Sequence, residues 1–358
     1  MRIVQLISQT VIGGAENFAF LLSAELTRRG HDVVLLANRR NGRLFDQEHP
    51  AGLRLLALDR KSRRDPRIVS FIGGAIRRFR PDILHSHNFG PNTWSRTLSC
   101  FFPRLEVVCH EHSSDKERQT IDRLWLDRIL FRRCSAVLAV HEELAELLCR
   151  RYRIPKKRVH TVLNGVDVTR FMPPTGISRD PRSVICVANM SSPKNHSGLL
   201  SAWRRVHEAV PEAILTLVGD GPLRAELEAQ TARDGLNPSV EFVGAVTDVR
   251  PYLQRASIFV MPSHHEAMPL SLLEATASGL PCVATSVGSI PLILDGGEAG
   301  MLVPPRDPGA LALSLQFLLT HAEDRERMGR RGRKVAVERF SFGTCVSRIE
   351  AIYEELLR

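Results

Sequence analysis

The chain of 358 residues contains no C-x-x-C pair, no D-x-D triplet and no G-x-G-x-x-G run. Each absence excludes something. Seven single cysteines, most in apolar contexts such as Val107-Val108-Cys109 and Val184-Ile185-Cys186, read as buried reduced thiols of a cytoplasmic protein. Without D-x-D there is no aspartate pair to hold a bridging divalent ion. The histidines have neither cysteines nor a third close ligand at metal-binding spacing, so no metal is expected. The missing glycine fingerprint leaves a dinucleotide site poorly supported. No apolar run reaches about 18 residues, so no transmembrane helix is expected. Only three Tyr and three Trp occur, and none interleaves the basic clusters, which argues against a nucleic-acid partner.

What is present is unevenly charged. Residues 1–170 hold 30 Lys and Arg against 18 Asp and Glu, whereas the remainder holds 19 against 21. The first half therefore carries the whole net charge of +10. Dense spots are Arg60-Lys61-Ser62-Arg63-Arg64, Arg77-Arg78-Phe79-Arg80 and Lys156-Lys157-Arg158. A one-sided sum points to an anionic partner, either an anionic membrane surface or an acidic saccharide.

The pattern along the chain is βα alternation, twice. Strands are expected at 2–8, 32–37, 83–87, 106–109, 136–140 and 159–162, with helices at 16–29, 68–80 and 121–133. The start, Met1 to Ile7, reads as a buried strand rather than a signal peptide. Phe171-Met172-Pro173-Pro174-Thr175-Gly176 is rich in breakers and reads as a linker. Strands then recur at 183–188, 213–218, 240–243, 258–261 and 281–285. Continuous apolar strands between amphipathic helices predict an α/β chain of two doubly wound parallel sheets, one domain at 1–172 and the other at 173–343. In such folds ligands bind outside the strand C-termini.

The most informative stretch is His264-His265-Glu266-Ala267-Met268-Pro269-Leu270-Ser271-Leu272-Leu273-Glu274-Ala275. A strand runs into a loop, and Pro269 is placed to open a helix at its first position. A helix N-terminus attracts phosphate through free N–H groups and the helix dipole. Two carboxylates bracketing a bound diphosphate would repel it unless each bonds a neutral hydroxyl. A nucleotide sugar offers hydroxyls on both sides, on its sugar ring and on its ribose.

This stretch resembles the E-x7-E signature of the retaining glycosyltransferases of family 4 (group 1), which have the GT-B fold. Gly13-Gly14-Ala15-Glu16, Leu163-Asn164-Gly165-Val166-Asp167, Val218-Gly219-Asp220-Gly221-Pro222 and Gly288-Ser289-Ile290-Pro291 resemble further segments of that family, in order. The resemblance implies two Rossmann-like domains facing across a cleft, with the last helix, 344–358, packed back on the first domain. It implies a metal-independent hexosyltransferase that needs no cofactor. Its donor would be a UDP-, GDP- or ADP-sugar and its acceptor a saccharide or lipid-linked hydroxyl in cell-surface polysaccharide, lipopolysaccharide or glycolipid synthesis. The setting would be cytoplasmic, peripheral on the inner face of the membrane.

The resemblance assigns Glu266 to orienting the transferred sugar, and His112 or His110 to contacting it. Gly14, Asn189, Lys194, Ala267, Met268, Pro269 and Glu274 fall on the donor side, with Glu274 on the ribose. Gly13, His85 and His87 fall on the acceptor side. The chain departs from the pattern at Ala188-Asn189-Met190, where the family often carries G-R-L. The missing arginine shifts phosphate neutralisation onto Lys194 and helix N-termini. Competing readings are a nucleotide-sugar epimerase, a glycan phosphorylase or a non-catalytic binding subunit.

Overall fold

The computed structural model describes residues 1–11, 13–60, 65–112, 127–176 and 178–358. The chain divides into two compact units, Met1–Leu163 with Cys345–Arg358, and Asn164–Thr344. Each is built on one parallel sheet.

In the first unit, chain order is β1 (Arg2–Ile7), α1 (Gly14–Arg28), β2 (Asp32–Ala37), β3 (Arg54–Ala57), α2 (Arg67–Phe79), β4 (Ile83–His87), α3 (Phe89–Ser99), β5 (Glu106–Glu111), β6 (Ala136–Ala139), α4 (Glu142–Tyr152) and β7 (Val159–Thr161). The sheet order is β3-β2-β1-β4-β5-β6-β7. All pairings are parallel, so both faces must be covered by crossover helices. That explains why every residue of β4 and β6 is buried. Of the expected helix at 121–133, residues 121–126 lie outside the described ones; residues 127–131 are helical.

The second unit runs β8 (Ser183–Val187), α5 (His196–Ala209), β9 (Ile214–Val218), α6 (Arg224–Arg233), β10 (Val240–Gly244), α7 (Arg250–Arg255), β11 (Ile258–Met261), α8 (Leu270–Ala277), β12 (Cys282–Thr285), α9 (Ile290–Ile293), β13 (Gly300–Val303), α10 (Pro308–Thr320) and α11 (Ala322–Arg339). Its sheet order is β10-β9-β8-β11-β12-β13, again parallel throughout. Trp203 of α5 fills the core at 0% exposure, and its indole N–H donates to Ser239 Oγ at 3.1 Å. That bond satisfies the one polar atom a buried tryptophan carries.

The division falls after Leu163, earlier than the Met172 expected from the breaker-rich stretch. The reason is hydrogen bonding within the second unit. Asn164 Nδ2 donates to the Met268 carbonyl at 3.0 Å, Val166 N–H to the Phe340 carbonyl at 2.8 Å, and Arg333 Nη1 to the Phe171 carbonyl at 2.7 Å. Phe171 to Gly176 is thus a tethered part of that unit rather than a linker. The last helix, α12 (Phe342–Leu356), buries Cys345, Val346, Ile349, Ile352 and Tyr353. From Cys345 onward it clusters with the first unit, where Glu350 Oε1 lies 2.7 Å from His31 Nε2 and also pairs with Arg29.

Among the described residues no helix is long and apolar enough to cross a membrane. The described cysteines are all free thiols, and five of them are buried.

In each sheet the strand order reverses at one point, between β1 and β4 in the first unit and between β8 and β11 in the second. The crevice outside the strand C-termini at such a reversal is where open parallel sheets bind ligands. The Gly13-Gly14 loop, the four histidines, Lys194 and Glu266 follow or end one of these four strands or the neighbouring β5, whereas the Val218-to-Pro222 turn follows β9 and the Gly288 loop follows β12.

Candidate functional site

In the second unit, the loops after β8 and β11 are fastened to each other. His264 N–H donates to the Pro193 carbonyl at 2.8 Å, and Asn195 Nδ2 to the Pro262 carbonyl at 3.1 Å. Asn195 also caps α5, its Oδ1 accepting from Gly198 N–H. This brings Lys194 and Glu266 together although 72 positions separate them: Lys194 Nζ lies 2.6 Å from Glu266 Oε1. Ser263 Oγ donates to the same oxygen at 2.8 Å. The Glu266 side chain is only 7% exposed, so its charge needs these donors. Oε2 accepts no bond among the described residues and remains available.

Two glycines set this geometry. Gly219 has φ +138°, and a Cβ there would stand 2.0 Å from the Ala188 carbonyl. Gly288 has φ +53°, and a Cβ there would stand 2.0 Å from the Glu266 carbonyl. Only glycine accepts both the conformation and the approach. The first presses the Val218-to-Pro222 turn against the Ala188–Met190 loop, and Met190 N–H donates to the Asp220 carbonyl. The second presses the Gly288 loop beneath Glu266, and Ser289 N–H donates to the Ala267 carbonyl at 3.0 Å.

Pro269 takes the N-cap position of α8 (φ −73°, ψ 120°), one residue before the position expected. Being extended, it turns the chain without helical dihedrals, and Leu270 becomes the first helical residue. No side chain caps this helix. The N–H groups of Ala267, Met268 and Leu270 to Leu272 have no acceptor among the described residues. They form an uncompensated N-terminus suited to an anion.

Glu274 follows one turn later. Its carboxylate has no hydrogen-bond partner among the described residues. Burial pushes its pKa up to about 7; Arg170 opposes this rise and Asp248 adds to it. A half-buried carboxyl without a protein partner is completed by hydroxyl donors. Asn189, where the family often has arginine, is exposed and makes no side-chain hydrogen bond among the described residues. Apart from Lys194, the cations that reach this region are Arg170, beside Glu274, and Arg306, beside His264.

In the first unit, Gly13 caps α1 and Gly14 is its first residue. The sequence suggests glycines that permit a tight turn or a close ligand. Gly13 sits at φ −123°, an ordinary extended value, so the turn does not demand glycine. A Cβ on Gly14 would meet nothing within 4 Å, which leaves the space beside the helix start open. Glu16 of the same motif accepts from Ser8 Oγ at 2.7 Å, tying the loop to the end of β1.

The four strand-end histidines form one array. His87 pairs in register with His110, so His85 and His87 of β4 lie on the same sheet face as His110 and His112. Rings stack at 4.0 Å between His110 and His112 and at 4.4 Å between His85 and His87. Phe18 of α1 covers His110 edge-on at 5.3 Å. A directed chain of bonds crosses the array. His112 Nε2 lies 2.9 Å from His87 Nδ1, His87 Nε2 lies 2.7 Å from Gln5 Oε1, Gln5 Nε2 donates to Tyr353 Oη at 3.3 Å, and that oxygen lies 2.5 Å from His85 Nδ1. Gln5 Oε1 only accepts, so His87 carries its proton on Nε2 and accepts from His112 through Nδ1.

Burial, reinforced by neighbouring imidazoles, holds His85, His87 and His110 well below the usual imidazole range. Burial pushes His112 down to about 3. The four are neutral at pH 7.

The histidine expectations need correction. His85 is 0% exposed under Tyr353 and His87 is 2% exposed, so neither side chain reaches solvent as an acceptor-side residue would. His110 is also sealed at 0%, whereas His112, at the strand end, is partly exposed. Of the two sugar-contacting candidates, His112 alone is accessible. The expectation that the histidines lack a third close ligand also fails: one nitrogen each from His85, His87 and His110 lies within 4.8 Å of the others.

Sequence reasoning missed Gln5, Ser263, Thr285 and Tyr353. Gln5 carried a signal, being the one polar residue in the apolar run Ile3–Ile7, and a buried polar group there requires a partner. Thr285 Oγ1 holds the Ser263 carbonyl at 2.6 Å and so sets the loop that presents Glu266.

Residues 181–321 match the family described as glycosyl transferases group 1, and residues 12–170 match glycosyltransferase family 4. The N-acetyl-alpha-D-glucosaminyl L-malate synthase of Bacillus anthracis is 26% identical, covering 97% of this chain and 95% of its own. The sucrose-phosphate synthase of Thermosynechococcus elongatus superposes with a TM-score of 0.85 at 21% identity, over 99% of both chains. Anabaena HepE, solved in complex with UDP-glucose, superposes at 0.84 with 18% identity, over 99% of this chain and 100% of its own.

Proposed function

Since the chain belongs to the group 1, family 4 glycosyltransferases and has their GT-B fold, we propose that it transfers a sugar from a nucleotide-diphosphate donor to an acceptor hydroxyl with retention of configuration. The observation that carries this reading is the arrangement in the second unit. Lys194, Glu266, the uncapped N-terminus of α8 and the unpartnered Glu274 follow one another at the β8/β11 reversal.

The diphosphate sits at the N-terminus of α8, against the N–H groups of Ala267, Met268 and the first turn. An ammonium has three donors, so Lys194 can hold Glu266 and a phosphate oxygen together. Glu274 accepts from the ribose diol. Glu266 accepts from a hydroxyl of the transferred sugar through Oε2, since Oε1 is already taken. The helix dipole and Lys194 stabilise the charge that grows on the departing diphosphate. A diphosphate oxygen takes the acceptor proton, so no protein base is assigned. Asn189 adds no charge, and Arg170 and Arg306 supply the further positive field. No bridging metal and no cofactor is assigned. His112 is the residue of the first unit assigned to the sugar.

Binding of UDP-glucose by the HepE relative supports a nucleoside diphosphate sugar here as well. A saccharide or lipid-linked acceptor in surface-polysaccharide or glycolipid synthesis accords with the family. The test is a panel of UDP-, GDP- and ADP-sugars read by thermal shift, followed by NMR of the product anomeric proton. A donor present at 100 times its Kd should add about 2.7 kcal/mol of stability. The reading fails if no nucleotide sugar stabilises the protein, or if the product anomer is inverted.

A further inference from the structure

We propose that His85, His87 and His110 form a tri-imidazole site for a zinc-type divalent cation in the first unit, independent of the donor chemistry of the second. Three observations carry it. One ring nitrogen from each residue lies within 4.8 Å of the others. Both nitrogens of His110 and Nε2 of His85 are buried without a hydrogen-bond partner among the described residues. These side chains are 0% exposed, so bulk water does not satisfy them, and orphaned buried polar atoms are rare enough to require a ligand.

The strand geometry suits a metal. His85 and His87 stand two apart on β4, and His110 stands in register on β5, so all three rings project from one face of the sheet. Nitrogens around a tetrahedral zinc at about 2.0–2.1 Å are roughly 3.4 Å apart, so closure from within 4.8 Å asks up to about 0.8 Å of each ring, together with rotation of rings that now lie 11–34° from one another. The outer nitrogens already have the partners that orient a ligating imidazole. His87 Nε2 faces Gln5 Oε1 at 2.7 Å, and His85 Nδ1 faces Tyr353 Oη at 2.5 Å. With the proton on each outer nitrogen, His87 Nδ1 and His85 Nε2 present lone pairs, the second-shell pattern of histidine metal sites. Borderline nitrogen donors with no carboxylate among them favour zinc, cobalt, nickel or copper over magnesium or calcium. His87 Nδ1 now accepts from His112, so metal binding there releases His112 from His87.

The experiment uses the full chain without a polyhistidine tag, stripped of metal and titrated with Co2+ and then Zn2+. The expected result is one equivalent of cobalt with the intense visible bands of tetrahedral coordination, displaced by one equivalent of zinc. His110→Phe and His110→Asn should both abolish these bands. The His110 side chain makes no hydrogen bond among the described residues, so neither replacement strands a partner. Tyr353→Phe should weaken zinc binding by about ten- to a hundredfold through the second shell. The proposal is overturned if wild-type protein shows no bands, only weak octahedral bands at several equivalents, or bands that persist in both folded His110 variants.

Discussion

Lys194 Nζ and Glu266 Oε1 stand 2.6 Å apart, with Ser263 Oγ on the same oxygen. The pair joins the loop after β8 to the loop after β11, so the cation proposed for phosphate and the carboxylate proposed for the sugar are positioned by each other. Charge-assisted bonds of this kind contribute about 1.5–3 kcal/mol. Lys194→Ala should therefore weaken nucleoside diphosphate binding by about ten- to a hundredfold and lower kcat as well. Glu266→Ala should lower kcat while leaving free nucleotide affinity within a few fold. Calorimetry beside steady-state kinetics separates the two, and equal losses of affinity in both variants would refute the division of roles.

Glu274 gives a pH prediction. Its folded pKa, about 7, lies above the ordinary 4.5, so the folded protein keeps a proton that the unfolded chain has already released. Stability therefore declines as pH rises from about 4.5 through about 7, and Glu274→Gln should flatten that decline. A ribose diol donating to the ionised carboxylate should make nucleoside diphosphate binding tighten between pH 6 and 8 more in the wild type than in the Gln variant. Parallel affinity profiles for the two proteins would remove the ribose role.

Divalent ions give a third. No aspartate pair stands at the diphosphate position, so turnover by metal-stripped enzyme should not depend on added Mg2+ or Mn2+. A requirement for either ion, seen as activity restored only on its addition, would mean that the diphosphate is held differently.

Gln5 gives a stability prediction. Gln5→Leu preserves the bulk of a buried position but strands His87 Nε2 and removes a donor from Tyr353. Leaving a buried polar group unsatisfied costs about 1–3 kcal/mol. Urea denaturation should show a lowered midpoint with an unchanged slope, and a midpoint equal to wild type would mean the chain of bonds through Gln5 adds nothing.

The basic first half gives the fifth. Arg77, Arg78 and Arg80 at the end of α2 are exposed, and Arg54 lies over Phe79 at 4.6 Å. The neighbouring cluster 61–64 lies outside the described residues. Each basic residue near an anionic surface contributes about 1 kcal/mol, screened within a Debye length. The protein should sediment with phosphatidylserine-containing vesicles at low salt and dissociate as salt rises. If it stays in the supernatant, the charge serves a soluble acidic saccharide instead.

Strands of continuous apolar residues, such as Ile258–Met261, were legible from the sequence, and so was the βα alternation that gives two parallel sheets. The elements that escaped have physical reasons. Arg54–Ala57 is an edge strand with exposed alternate residues, Gly300–Val303 opens on glycine, and Phe89–Ser99 begins Phe-Gly-Pro-Asn without helical apolar spacing. At the candidate site, local signals singled out Glu266 and Glu274, and the family resemblance singled out Lys194. Their pairing was not readable, because it arises from loops 72 positions apart. The same holds for Gln5 and Tyr353, whose contact spans 348 positions.

Gly219 and Gly288 hold their loops by backbone alone, each with a carbonyl where a side chain would begin. These two approaches are made by backbone, whereas the loop that presents Glu266 is also held by the side chains of Asn195 and Thr285. Asn189, exposed and without a side-chain hydrogen bond among the described residues, can be exchanged without disturbing those approaches, and arginine there should tighten nucleoside diphosphate binding by adding positive charge. Alanine at 219 or 288 would instead deform the pocket before any substrate arrived. Substitutions that vary the charge of this loop belong at 189 and should leave 219 and 288 untouched.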